Sequence, residues 1–125
     1  MKLAARILVG VLGAMSLLIG AAFWADPAKP AANLGILARD TLGLASLRAD
    51  NGGLFAGIGI LALAAAIRDN GRLMTAPTLF IALALSGRFL TVALSGYAPN
   101  MGQPIAVEVV TLTILALGRR TLSTP

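Results

Sequence analysis

Four long apolar runs, separated by short polar stretches, dominate the pattern along the chain. The first two runs carry no charge within them, and the last two are each interrupted by a single charged residue, Arg88 and Glu108. A bilayer core about 30 Å thick takes roughly 20 helical residues to cross. The pattern therefore predicts four transmembrane helices. Their expected positions are about 5–24, 46–67, 73–95 and 104–119.

The segments between the runs predict the topology. Asp69, Asn70 and Gly71 tolerate left-handed backbone and make a turn so short that the flanking helices must be antiparallel neighbours. A short interfacial helix is expected over 28–37, between the first two spans. Few residues remain for loops. We therefore expect a single domain, 1–125, with the fold class of an all-α membrane protein built as an antiparallel up-down bundle.

Composition supports a lipid environment and narrows the chemistry. Hydrophobic residues make up 58% of the chain and charged residues 12%, whereas an ordinary soluble domain has about 45–50% apolar and about 25% charged residues. The chain has no cysteine and no histidine. This removes disulfides, thiolate chemistry and the usual ligands of zinc, copper and haem. We expect no cofactor and no metal.

The net charge of +5 comes from basic residues at the ends of the predicted helices rather than from one patch. These residues are Lys2, Arg6, Arg68, Arg72, Arg119 and Arg120. Cytoplasmic loops carry the excess of Lys and Arg in membrane proteins. We expect a multi-pass protein of the bacterial inner membrane with both termini cytoplasmic. A nucleic-acid partner is not expected.

A cleaved signal peptide is the alternative interpretation of residues 1–25. Lys2 and Arg6 followed by an apolar run resemble one. Cleavage sites need small residues, however, and Phe23 and Trp24 stand before Ala25. A first transmembrane helix is the better interpretation.

Four charged residues, Arg48, Asp50, Arg88 and Glu108, are predicted to lie near one face of the membrane. At 1.5 Å per residue, Asp50 and Glu108 lie about 6 Å below the starts of their helices, and Arg88 about 10 Å below the end of its own. Ionisable groups at membrane depth normally face the protein and pair. We expect Arg88 to pair with Glu108, and Arg48 to pair with Asp50 or Glu108. The candidate hydrogen-bonding partners nearby are Ser86, Thr91, Thr111, Asn51 and Gln103.

The predicted polar cluster has two interpretations. It is either a clamp that fixes the register of the helices, or the lining of an outward-facing cavity in which Arg88 contacts an anionic head group. In the second case Asp50 or Glu108 exchanges a proton. Gly52, Gly53 and Gly57 are the predicted helix-packing residues nearby. Gly53 and Gly57 form a small-xxx-small pair on the face that carries Asp50. Gly10, Gly13 and Gly20 of the first helix are also interpreted as packing residues.

A family resemblance rests on the segment Ser46-Leu47-Arg48-Ala49-Asp50-Asn51-Gly52-Gly53, followed by Arg88 and Glu108. With this Arg-Ala-x-x-Gly-Gly signature, nearly the whole chain resembles the bacterial domain-of-unknown-function 4345 family. The resemblance implies a four-helix integral membrane protein of unassigned activity. It singles out Arg48, Gly52, Gly53, Arg88 and Glu108. Asp50 falls at a position where the family is expected to have an aromatic or variable residue.

Two functions are compatible with these residues. The first is binding of a lipid-like or small amphipathic molecule, with membrane lipid as the partner. The alternative is a non-catalytic accessory subunit of a larger membrane complex or a homo-oligomer, in which the charges are a structural clamp. An enzyme using Glu108 or Asp50 as acid or base is less well supported, because no nucleophile with an adjacent base is recognisable. No residue is therefore assigned as catalytic.

Overall fold

A computed structural model describes residues 1–122 of the chain, and this part is helical with no strand. The α-helices are α1 (Lys2–Ala25), α2 (Ala28–Asn33), α3 (Thr41–Ser46), α4 (Gly53–Arg68), α5 (Thr75–Ser95) and α6 (Gly102–Thr121). A π-helical turn, Leu47–Gly52, joins α3 to α4. The 3₁₀ turns Gly71–Met74 and Pro99–Met101 lead into α5 and α6. The last three residues of the predicted domain 1–125 lie outside the described part.

The prediction of four membrane-spanning helices is confirmed. Within residues 1–122, four helices are long and apolar enough to cross a bilayer: Lys2–Ala25, Thr41–Arg68, Gly71–Ser95 and Pro99–Thr121. The second begins at Thr41 rather than near residue 46. Asp40 explains the difference, because its Oδ1 accepts a hydrogen bond of 2.9 Å from the backbone N of Gly43 and caps the helix there.

A short helix also occurs after the first span, but only over Ala28–Asn33. It ends because Gly35 adopts a positive φ of 72°, a conformation that glycine takes at no steric cost. Ala31 is buried and packs with Phe23 and Leu47, so this helix covers one end of the bundle. Its position at a membrane interface stays a prediction.

Successive spans run in opposite directions. Lys2 Nζ lies 2.7 Å from Asp69 Oδ2, which brings the start of α1 to the turn between α4 and α5. A methyl group placed on Gly71 would lie 2.8 Å from the carbonyl oxygen of Arg119, so the end of α6 meets the same turn. One end of the molecule therefore gathers the basic residues Lys2, Arg6, Arg68, Arg72, Arg119 and Arg120; we call it the basic end.

The closest helix contact joins α1 to α4 through small residues. A methyl group on Gly20 would lie 2.7 Å from the backbone N of Ala56. One on Gly59 would lie 2.6 Å from both Gly13 O and Leu17 N. Real side chains do not come that close to backbone atoms, so glycine is required for this approach. Small residues let helix backbones touch where lipid supplies no hydrophobic drive for association.

Within the described chain, Gly52 packs closely against α1, whereas Gly53 and Gly57 do not pack against another helix. A packing role for Gly53 and Gly57 against a second molecule stays a prediction. An added Cβ at Gly52 would collide with the Trp24 indole, whereas at Gly53 or Gly57 it would meet nothing within 4 Å. The π-helical turn sets the orientation, because Leu47 and Gly52 are five residues apart and both buried. The face carrying Asp50, Gly53 and Gly57 is consequently turned away from α1.

The α5–α6 hairpin packs on the rest of the bundle mainly in the half nearer the basic end, although Leu112 and Ile114 also contact the core. Its buried residues are Pro77, Ile81, Leu85, Leu115 and Gly118. Between residues 86 and 114 no residue is buried. We call this part, which includes the connection between the two helices, the distal hairpin. Lipid or another molecule must cover most of its apolar surface.

The Gly59→Ala substitution should lower the free energy of unfolding by about 1–3 kcal/mol, because the methyl group would overpack the α1–α4 contact. Gly57→Ala, on the same helix, is the matched control and should be neutral or slightly stabilising, since alanine favours a helix. Denaturant titrations in one detergent, followed by circular dichroism, compare the two variants. Equal unfolding midpoints for Gly59→Ala and the parent chain would contradict the close approach.

Candidate functional site

Arg88 and Glu108 occupy facing positions on the two helices of the distal hairpin. Arg88 comes three residues after the buried Leu85 of α5, and Glu108 comes seven residues before the buried Leu115 of α6. Side chains at these spacings share one face of a helix. Arg88 and Glu108 therefore lie on the faces through which α5 and α6 contact each other.

The two side chains form the predicted ion pair. Arg88 Nε donates to Glu108 Oε1 across 2.8 Å. Arg88 lies seven residues before Ser95 and Glu108 six after Gly102, which places both about 9–10 Å from the distal ends of their helices. The Arg88 side chain is 33% exposed and that of Glu108 is 15% exposed. The pair is thus shielded on the Glu108 side and accessible on the Arg88 side.

The pair leaves several polar atoms without a protein partner. Glu108 Oε2 is buried and has no hydrogen bond within residues 1–122. Of the five N–H donors of an arginine, Arg88 uses only the one on Nε in the described part of the chain. Ser86 and Thr91 do not supply the missing bonds, because their hydroxyls donate to the backbone carbonyls of Ala82 and Gly87 within α5. The outer edge of the guanidinium is therefore open to a ligand.

The predicted pairing of Arg48 with a carboxylate is wrong. Arg48 Nε donates to the carbonyl oxygen of Trp24 across 2.9 Å, and Trp24 Nε1 donates back to the carbonyl oxygen of Arg48 across 3.2 Å. The physical reason lies at the end of α1, where the last carbonyls have no partner within the helix. A cation there also interacts favourably with the helix dipole. Arg48 thus joins α1 to the π-helical turn.

Arg6 makes the equivalent contact at the opposite end of the same helix pair. Its Nε donates to the carbonyl oxygen of Ala66 across 2.9 Å, and its Nη2 to that of Ile67 across 3.3 Å. These carbonyls belong to the last turn of α4. The sequence pattern predicted for Arg6 only a role in setting the membrane topology. The sequence signal for this contact is an arginine in the first turns of one helix, opposite the C-terminus of its antiparallel neighbour.

Asp50 is exposed and separate from the Arg88–Glu108 pair. No ion pair joins it to an arginine in the part of the chain that the structure describes. It lines an open groove of about 450 Å³ beside the α2–α3 connection. The four predicted site residues therefore lie in three places, and a buried cluster of four charges is not seen. Residues 1–122 also contain no group of three candidate metal ligands.

Together these features define a small multi-pass α-helical membrane protein with an ion pair between its third and fourth spans. A protein-family model described as Domain of unknown function (DUF4345) matches residues 4–118. The chain belongs to this family. No curated protein and no solved structure matches the chain. The family match includes both members of the ion pair and the arginine of the π-helical turn.

Replacing Glu108 alone by leucine should destabilise the chain by about 1–3 kcal/mol, because it leaves the Arg88 charge unpaired at membrane depth. The Arg88→Leu, Glu108→Leu double variant should recover most of this loss, since two apolar side chains then face each other. Arg120→Leu, an exposed arginine at the basic end, is the control for loss of an arginine. Denaturant titrations of the parent chain, the two single variants Glu108→Leu and Arg88→Leu, the double variant and the control give the coupling energy. Additive single effects would show that the pair does not act as a unit.

Proposed function

We propose that this protein binds an anionic amphiphile in the membrane and that Arg88 contacts the anionic head group. The proposal rests on the guanidinium of Arg88. The Arg88 side chain is one-third exposed on a membrane-spanning helix, and within residues 1–122 only one of its N–H donors bonds to protein. Donors at that depth need acceptors, because an unsatisfied polar group in hydrocarbon costs several kcal/mol. A phosphate or carboxylate provides them.

The position of Arg88 suits a head group rather than an acyl chain. The residue lies about 10 Å below the distal end of α5, and a long arginine side chain can extend from there towards the interface. Its planar fork matches the oxygens of a phosphate or carboxylate. The apolar remainder of the ligand would lie along the distal hairpin, where Phe89 and Val107 are about half exposed.

Glu108 positions the arginine in this proposal. Its Oε1 engages Nε and leaves the two terminal nitrogens of the guanidinium for the ligand. The carboxylate also neutralises the arginine while the site is empty, which lowers the cost of holding the charge at membrane depth. Glu108 is therefore a positioning residue and Arg88 the contacting residue.

The Arg88→Leu variant should lose selectivity for an anionic lipid. A fluorophore on Thr91→Cys, one helical turn from Arg88 in a chain without cysteines, reports quenching by bromine-tailed lipids in nanodiscs. Phosphatidylglycerol should be preferred over phosphatidylcholine of the same chains by roughly tenfold, because its head group is a net anion, whereas the choline cation of phosphatidylcholine cancels the phosphate charge and is repelled by the guanidinium. Arg88→Leu should abolish this preference.

Arg68→Leu is the matched control, because it removes an exposed arginine at the basic end, and it should keep the preference. Equal quenching by both lipids in the parent chain would refute the proposal. Loss of the preference in Arg68→Leu but not in Arg88→Leu would move the anionic-lipid site to the basic end.

An accessory subunit is the second candidate function, and the distal hairpin favours it. No residue between 86 and 114 is buried within the chain, so a partner helix would find a large apolar surface there. Native mass spectrometry from a gentle detergent separates the two candidates. A lipid-sized adduct lost with Arg88→Leu supports ligand binding, whereas a stoichiometric protein subunit supports the second candidate.

We further propose that the basic end faces the cytoplasm of a bacterial inner membrane, so that both termini are cytoplasmic. The support is the convergence of six basic residues on one end of the bundle and the positive-inside tendency of membrane proteins. The distal hairpin and the groove near Asp50 would then face the periplasm.

Single-cysteine labelling of intact cells tests this orientation. Asn70→Cys in the turn at the basic end and Asn100→Cys in the distal connection both keep every basic residue. An impermeant maleimide should label position 100 in intact cells and position 70 only after permeabilisation. The reverse pattern would place the basic end outside.

A further inference from the structure

An open groove of about 450 Å³ lies at the end of the molecule opposite the basic end. One side is the connection between α2 and α3, and the other is the start of the second span with its π-helical turn. Arg88 and Glu108 do not line it. The groove is therefore a separate feature from the ion pair of the distal hairpin.

The rim of the groove is apolar and exposed. Leu37 is 92% exposed, Leu42 is 75% exposed and Ile36 is 41% exposed. Ile36 and Leu37 belong to the α2–α3 connection and Leu42 to the first turn of α3. Three large exposed apolar side chains so close in sequence suit the boundary between head groups and acyl chains. The groove thus sits where a lipid head group would meet the start of the second span.

The groove also carries charges of both signs. Asp50 and Arg39 are exposed, and neither forms an ion pair within residues 1–122. Asp40 is partly engaged, since its Oδ1 accepts from the backbone N of Gly43. One carboxylate and one guanidinium are consequently free to interact with a ligand that has a positive and a negative group.

The π-helical turn holds Asp50 in this position. Leu47 and Gly52 point inward and are buried, while Arg48 and Asp50 between them are exposed. Arg48 is tied to the end of α1, which leaves Asp50 as the charged side chain of the turn that lines the groove. Short π-helical segments occur often at functional sites.

We infer that this groove binds the head group of a phospholipid that carries a primary ammonium, as phosphatidylethanolamine does. Asp50 accepts hydrogen bonds from the ammonium, and Arg39 donates to the phosphate. Ile36 and Leu42 contact the first carbons of the acyl chains. This site is independent of the anionic amphiphile proposed at Arg88, because no residue is shared.

Binding of dihexanoyl phosphatidylethanolamine and dihexanoyl phosphatidylcholine to the detergent-purified chain, measured by native mass spectrometry, tests the inference. The ammonium of ethanolamine donates hydrogen bonds and the quaternary group of choline does not. The parent chain should therefore prefer phosphatidylethanolamine by about tenfold. Asp50→Asn should remove this preference, and Asp50→Glu should retain part of it. Arg39→Gln should weaken both lipids, because both carry the phosphate.

Asp26→Asn is the matched control, since Asp26 is an exposed carboxylate near the same end that does not line the groove. It should leave the preference unchanged. Equal binding of the two lipids by the parent chain, or an unchanged preference in Asp50→Asn, would overturn the inference. Equally tight binding of phosphoethanolamine without acyl chains would show that the ligand is a free solute rather than a lipid. Arg88→Leu should not alter this preference, so failure here and failure of the proposed function are distinguishable.

Discussion

The close backbone approach of α1 and α4 is the constraint on which the rest of the molecule depends. Gly13, Gly20 and Gly59 allow the two helices to touch, and lipid offers no hydrophobic drive that would hold a looser contact together. Ser16 adds an interhelical hydrogen bond of 2.8 Å to the carbonyl oxygen of Phe55. The remaining spans are placed relative to this pair. For example, α6 rests on α1 where Gly118 meets Val9.

Arginines near the helix ends stabilise the α1–α4 contact. They bond to backbone carbonyls rather than to carboxylates. Arg6 and Arg48 each donate to free carbonyls at the C-terminus of the neighbouring helix. Because α1 and α4 are antiparallel, each end of the pair offers one C-terminus and one arginine. Arg88 lies about two turns from the distal end of α5, where the backbone carbonyls are already used within the helix. It therefore needs a carboxylate, and Glu108 provides one.

Away from the basic end, the charged side chains discussed above lie on the less tightly packed parts of the chain. The distal hairpin carries the Arg88–Glu108 pair, and the groove beside the π-helical turn carries Asp50 and Arg39. Both present charges that the protein only partly satisfies, next to apolar surface that faces lipid. A closely packed α1–α4 pair supporting two such surfaces suits a protein that holds amphiphilic molecules, which is the function we propose.

The residues alone were sufficient to predict the four spans and the pairing of Arg88 with Glu108. Span length and apolar composition are properties of each segment by itself, and the two charges lie at matching depths on consecutive antiparallel helices, where burial demands a partner. They did not predict the contacts of Arg48 and Asp50. They also did not predict that Gly52, rather than Gly53, packs against α1. Those outcomes depend on how far the second span is rotated about its axis. The π-helical turn and the contact with Trp24 set that rotation, and neither is visible in a pattern of apolar and polar positions.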